Sequence, residues 1–377
     1  MSLKVGFVGP PGRIAGSAFM DTAPLLSAVG QNTGNLVFQY AVRTTIAEEH
    51  IFVGSDLPWN PAKVRQHCKV LVIPSANFLR EGFDPTGFIN FLDKVELPLV
   101  FLGLGAQADS FEKTEFNFEP SILRLIDLLR ERSKIVGVRG NYTAELLHRH
   151  SVDNVAVIGC PSNFLNSDPE LPSKLERKWS EKVVTIATTG DEAWPRNIMK
   201  RDAERRLVAI ARENGGIYVH QSVEPLVKSL RARNPYQTSP VAPNTVESLR
   251  NSIAPHLSDD DFTRFLASAV RIYYDVDQWL EDLARFDLSI GLRLHGNMVP
   301  FQAGCPAIWI HHDARTRELV ETMRLPNLAL PKFLSLRTVD EMKKASGADF
   351  AAYGMRRLEL RRRYHDIFDA HGIAHIA

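Results

Sequence analysis

SIGLRLHGNMVPFQAGCPAIWIHHD, residues 289–313, reads as strand, helix and strand in quick succession. The run 288–294 is apolar until Arg293; 296–304 begins on Gly296 and Asn297, as a helix would; 307–312 is apolar again. A strand joined to the next by a short helical crossover is the unit of a parallel sheet. The spacing also places Arg293 and His295 two residues apart at the end of the first strand, where their side chains are expected on one side of it with Leu294 on the other.

The same alternation fills the chain. Strands are predicted over 3–9, 69–75, 99–105, 134–140 and 155–161, with helices over 35–49, 120–133 and 141–150. The strand pattern then lapses in the polar, proline-bearing segment 166–182. It resumes with strands over 182–188, 216–221, 270–275, 288–294 and 307–312, and helices over 196–215, 275–286, 296–304 and 314–323. The expected class is α/β, with two Rossmann-like lobes, residues 1–172 and 173–345. A C-terminal helix within 346–377 carries a basic face and is expected to pack back on the first lobe. Residues 226–262, rich in Asn, Pro, Ser and Asp, are expected to form an insertion or lid with weak helices.

Composition narrows the function classes. Lys plus Arg number 45 against 44 Asp plus Glu, so no global field draws the chain to nucleic acid or an anionic bilayer, and any anion site must be local. The three cysteines, Cys68, Cys160 and Cys305, are far apart, with no zinc spacing, which fits a reducing cytoplasm. No stretch approaches the roughly 20 apolar residues that cross a bilayer. The expectation is a cytoplasmic protein, at most peripheral at the inner face of the membrane. No GxSxG elbow, HExxH or CxxC is present.

Three constellations carry chemistry. Asn32-Thr33-Gly34-Asn35 is a turn leading into a helix, able to offer N–H groups to an anion or a sugar hydroxyl, or simply to cap that helix. Gln107 closes the strand ending GLGA, and Arg139 the strand KIVGV; ligands in open α/β sheets sit beyond such carboxyl ends, and a guanidinium there can grip a carboxylate or phosphate by two hydrogen bonds. Arg293 and His295, with the helix start at Gly296 and Asn297, combine a fixed cation, an imidazole that titrates near neutrality and free N–H groups, which makes an anion-handling site. His311 and His312, adjacent on a strand, point to opposite faces and do not share a metal.

In order along the chain, Asn32-Thr33-Gly34-Asn35, GLGAQ (103–107), VRGNYTAELL (138–147), GLRLHG (291–296), GCP (304–306), AIWI (307–310) and RTRELVETMRLP (315–326) resemble the polysaccharide pyruvyl transferase family. His312-Asp313 departs from the family's aromatic-Asp pair, and GCPSNF (159–164) stands where many members carry Asp-Pro. The resemblance implies a glycosyltransferase-B-like pair of lobes with the active site in the cleft between them. It implies transfer of the pyruvyl unit of phosphoenolpyruvate to two hydroxyls of a sugar or lipid-linked oligosaccharide, giving a cyclic ketal and phosphate, in the making of a surface polysaccharide. Arg293 and Arg139 would fix the donor, His295 would act as acid or base, and Asn32, Asn35 and Gln107 would orient hydroxyls. Gly34, Leu294, Gly296 and Asn297 would complete the binding surface, with no metal or cofactor. Two other readings share this build: a nucleotide-sugar glycosyltransferase, for which Glu224 is the one ribose-binding candidate, and a glycan-binding protein without turnover.

Overall fold

The computed structural model describes residues 3–232 and 244–376. The first lobe is a parallel sheet of β1 (Lys4–Val8), β2 (His50–Val53), β3 (Cys68–Pro74), β4 (Leu99–Leu104), β5 (Val136–Val138) and β6 (Val155–Val157), in the order β2-β1-β3-β4-β5-β6. The second is a parallel sheet of β7 (Ile186–Thr189), β8 (Ile217–Val219), β9 (Val270–Arg271), β10 (Leu288–Gly291), β11 (Ala307–His311) and β12 (Asn327–Ala329), in the order β12-β11-β10-β7-β8-β9. Central strands such as β3 and β4 are apolar but for Lys69, near the start of β3, because helices cover both faces. Separate apolar clusters, one built on Val5, Phe7 and Val72 and the other on Leu71, Ile73 and Phe101, lie on the two sides of the first sheet.

Each sheet reverses its strand order once, between β1 and β3 in the first and between β7 and β10 in the second. Neighbouring connections leave for opposite faces there, opening a crevice at the carboxyl ends of the strands. An apolar seam holds the lobes together, Leu26, Leu36 and Val37 of the first meeting Val219, Trp279 and Val299 of the second.

Several boundaries differ from the sequence reading. The helix expected to reach residue 49 stops at Thr45, and Ile46 turns extended (φ −75°, ψ 119°); the β-branched run Thr44-Thr45-Ile46 favours that exit, and β2 follows. The strand expected from 182 begins only at Ile186, Val184 being 60% exposed. β12, a three-residue edge strand, went unrecognised because it is too short to show alternation. Within 226–262 the described residues form the helices Glu224–Leu230, Thr245–Ile253 and Asp259–Ala269, while residues 233–243 lie outside the described residues.

The C-terminal helix Phe350–Ala370 stacks Tyr364 on Phe164 (4.9 Å between centroids) and donates from the Tyr353 hydroxyl to Asn163 Oδ1 (3.0 Å). Most of its basic residues are engaged with the protein. Arg357 is buried and donates to Asn163 O (3.2 Å), Arg356 donates to Thr322 O (2.8 Å), and only Arg362 of the arginines between 356 and 363 is exposed. Among the described residues no helix is long and apolar enough to cross a membrane.

Candidate active site

The quoted stretch turns one step earlier than its pattern suggests. β10 ends at Gly291, Arg293 is the extended residue preceding the helix (φ −98°, ψ 131°), and the helix runs Leu294–Gln302. Arg293 and His295 are therefore not same-face strand residues: one stands before the helix and the other in its first turn. No side chain caps that helix, so its leading N–H groups face the site.

A cavity of about 60 Å³ lies between the lobes at this point. It gathers Asn32, Asn35, Arg139, Arg293, Leu294 and His295 from the expected set. The remaining four fall around it. Gly34 packs beneath, where an added Cβ would stand 2.2 Å from Gln221 Oε1 and 3.2 Å from His295 Nδ1. Gly296 is equally tight, its added Cβ 2.0 Å from Thr189 Cγ2. Gln107 does not reach the cavity; its carbonyl accepts from Asn77 Nδ2 (3.0 Å), and Asn77 in turn accepts from the Arg139 guanidinium. Asn297 is fully buried and committed to structure, accepting from Ser289 Oγ (2.8 Å) and donating to Gly291 O (3.0 Å), which ties helix to strand instead of binding a substrate.

The charges are arranged asymmetrically. Arg293 Nε stands 2.5 Å from Asp191 Oδ1, and its Nη2 donates to Asp191 O (2.9 Å) and Ser222 Oγ (3.0 Å). Burial alone would raise the Asp191 carboxyl, but Arg293, His312, Lys200 and Arg315 hold it well below the ordinary carboxylate range. Arg315, in the first turn of the helix Ala314–Met323, pairs with Asp313 at 3.3 Å. Arg139, only 3% exposed, donates Nε to Gly103 O (3.0 Å) and has no ion-pair partner among the described residues. Burial lowers its pKa, yet a guanidinium keeps its proton, so a nearly uncompensated cation faces the cavity.

His295 is 8% exposed and enclosed by first-lobe groups, with Nε2 3.4 Å from Cys160 Sγ and the Phe38 ring 5.4 Å away. Burial, then the fields of Arg139, Arg315 and Arg293, push its pKa down to about 3. The expectation that it titrates near neutrality is thus corrected: at neutral pH the imidazole is uncharged. Burial likewise raises the Cys160 thiol, so the contact joins two neutral groups.

Sequence reasoning missed Arg315, Asp191, Asn77 and Gln221. Gln221, 1% exposed, lines the cavity with both amide atoms lacking partners among the described residues. The legible signal was positional, since Asp191 follows β7 as Arg293 follows β10, and Asn77 follows β3 as Arg139 follows β5. His312 lies outside the cavity, its Nε2 3.5 Å from Asp191 Oδ2, and His311 lines a separate small cavity with Trp309. Glu224 is engaged with Lys228 at 2.8 Å.

No curated protein matches the chain. Among solved structures it is similar to UDP-N-acetylglucosamine 2-epimerase from Rickettsia bellii (10% identity, 98% of this chain and 96% of that one, TM-score 0.45). It is also similar to UDP-GlcNAc 2-epimerase from Methanocaldococcus jannaschii (12%, 96% and 100%, TM-score 0.44) and to Anabaena Alr3699/HepE in complex with UDP (13%, 98% and 98%, TM-score 0.44). The family model described as polysaccharide pyruvyl transferase matches residues 32–313, a span that begins at the Asn32 turn and ends at Asp313 beside Arg315. With about three quarters of its length matched, this chain belongs to the polysaccharide pyruvyl transferase family.

Proposed function

We propose that the protein transfers the pyruvyl unit of phosphoenolpyruvate to two hydroxyls of a sugar in a polysaccharide precursor, forming a cyclic ketal and releasing phosphate. The observation that carries the reading is the convergence of Arg139, Arg293 and Arg315 on one inter-lobe cavity, with Arg139 unpaired and the neutral His295 beside them. Phosphoenolpyruvate brings a carboxylate and a phosphate, and guanidinium forks suit both. The uncapped start of the helix Leu294–Gln302 adds N–H groups and a favourable dipole for one of these anions. The unpartnered amide of Gln221, with Asn32 and Asn35, supplies hydrogen bonds for the remaining oxygens.

The chemistry requires a proton on the methylene carbon, which becomes the methyl group, and leaves an oxocarbenium-like centre at the neighbouring carbon. One sugar hydroxyl adds there; phosphate departs; the second hydroxyl closes the ketal. Of the two hydroxyl protons, one ends on the methyl carbon and the other on phosphate. His295 is the proton carrier. A bound donor offsets the arginine fields that depress its basicity, bringing it toward working range as the substrate arrives.

The test is direct. Phosphoenolpyruvate should bind and raise the melting temperature, whereas UDP- and GDP-sugars should not; stabilisation by the nucleotides alone would sink the reading. His295→Ala should still bind phosphoenolpyruvate but lose about 10²- to 10⁴-fold in acceptor-dependent phosphate release. Unchanged release would remove His295 from the role.

A further inference from the structure

A second cavity, of about 360 Å³, opens beside the arginine pocket over the carboxyl ends of β1 and β3. That is the strand-order reversal of the first sheet, the place where an open α/β sheet offers a crevice. The two cavities adjoin: Asn35 and Ala76 line both. Phe38 also lines the second, with its ring 5.4 Å from that of His295. A molecule lying here would present its edge to the imidazole.

The walls are aromatic. Trp59, Phe78 and Phe88 surround the space, and Trp59 is 52% exposed while its indole is fixed by edge contacts to Phe91 (4.9 Å) and Phe88 (6.1 Å). A rigid, half-exposed indole has given up solvent shielding to keep a ring at the cavity. Among these rings lies one polar demand: Gln39 Oε1 is buried with no hydrogen-bond partner among the described residues. An orphaned carbonyl oxygen calls for a donor from whatever fills the space.

Apolar faces together with an isolated hydroxyl-binding acceptor match one chemical class. A pyranose offers a C–H face to an aromatic ring and hydroxyl donors around its rim. A lipid chain would fill the walls but leave Gln39 Oε1 unmet. We propose that this cavity is the acceptor subsite, in which the pyranose that receives the pyruvyl group stacks on Trp59 and donates a hydroxyl to Gln39 Oε1. The proposal rests on reading the arginine pocket as the donor site.

The test uses the full chain with methyl galactoside, methyl glucoside, methyl mannoside and methyl N-acetylmannosaminide as probes. Binding is followed by ligand-observed NMR with phosphoenolpyruvate present. At least one glycoside should bind wild type, and Trp59→Ala and Gln39→Leu should each weaken it by at least about tenfold. Trp194→Ala, a half-exposed tryptophan of the second lobe that donates to Ser248, is the control and should change nothing. Phosphoenolpyruvate affinity should be the same in all four proteins. Equal glycoside binding in Trp59→Ala and Gln39→Leu overturns the assignment, as does binding of octanol or uridine but of no glycoside. If phosphoenolpyruvate fails to bind wild type while a glycoside still depends on Trp59 and Gln39, the cavity stands as a pyranose site and only the donor reading falls.

Discussion

Arg293 reaches back across the junction of β10 and β7 to Asp191, so the cation at the head of the helix Leu294–Gln302 is already half spent on a neighbour. Arg139, on the facing lobe, has no such partner among the described residues. The two arginines should respond to removal in opposite ways.

Arg293→Met leaves the buried Asp191 carboxylate with Lys200, at 3.3 Å, as its remaining paired cation, and loss of one member of a buried pair costs on the order of 3 kcal/mol. Urea denaturation should show that loss, and Asp191→Asn combined with Arg293→Met should recover most of it. Simple additivity of the two losses would contradict the pairing.

Arg139→Met removes a buried charge that no direct ion pair among the described residues balances, so the unliganded protein should melt higher than wild type. The same variant should lose the melting shift produced by phosphoenolpyruvate. A variant that melts lower, yet keeps the shift, would place the anion elsewhere.

His295 should stay neutral from pH 8 to pH 5 in the free protein, since its pKa is pushed down to about 3. Saturating phosphoenolpyruvate should raise that pKa by offsetting the three guanidiniums. NMR titration of the ring protons reads both states, and a free-state midpoint near the ordinary value of about 6.5 would refute the burial argument.

Glu204 supports the Asp191 loop, accepting from the N–H groups of Asp191 (2.6 Å) and Glu192 (2.8 Å) and from the Tyr218 hydroxyl (2.7 Å). Burial raises its pKa to about 7. A raised carboxyl pKa contributes stability that is fully present below the unfolded value and is lost as pH rises through the folded one. Glu204→Gln should therefore gain on wild type between pH 4.5 and pH 7.5, by on the order of 3 kcal/mol at the upper end. Parallel melting curves across that range would deny the shift.

The parallel sheets, the two lobes and the long C-terminal helix were legible because buried strands form apolar runs and their connecting helices show their own period. Arg139, Arg293 and His295 were legible because each ends a strand pattern. Asp191 and Gln221 were not, since a single Asp after ATTG or a Gln after YVH resembles any turn residue until the other strand ends are brought alongside. Trp59 was invisible for a similar reason: nothing local distinguishes an exposed tryptophan before a helix from one facing a crevice. Asn297 misled in the opposite sense, because a polar residue at a helix start can equally serve the backbone beneath it.

Glu318 of the second lobe accepts from both the N–H (2.7 Å) and the hydroxyl (2.9 Å) of Thr143 in the first, four residues along the chain from Arg139. The same helix carries Arg315 a turn earlier. Latch and grip are thus built on the same two segments, and parting the lobes draws Arg139 away from Arg315. Arg139 and Arg315 repel each other across the lobes, and the Glu318–Thr143 latch opposes that repulsion. An anion held between them would offset that repulsion, so binding at this point and the seating of one lobe on the other are coupled.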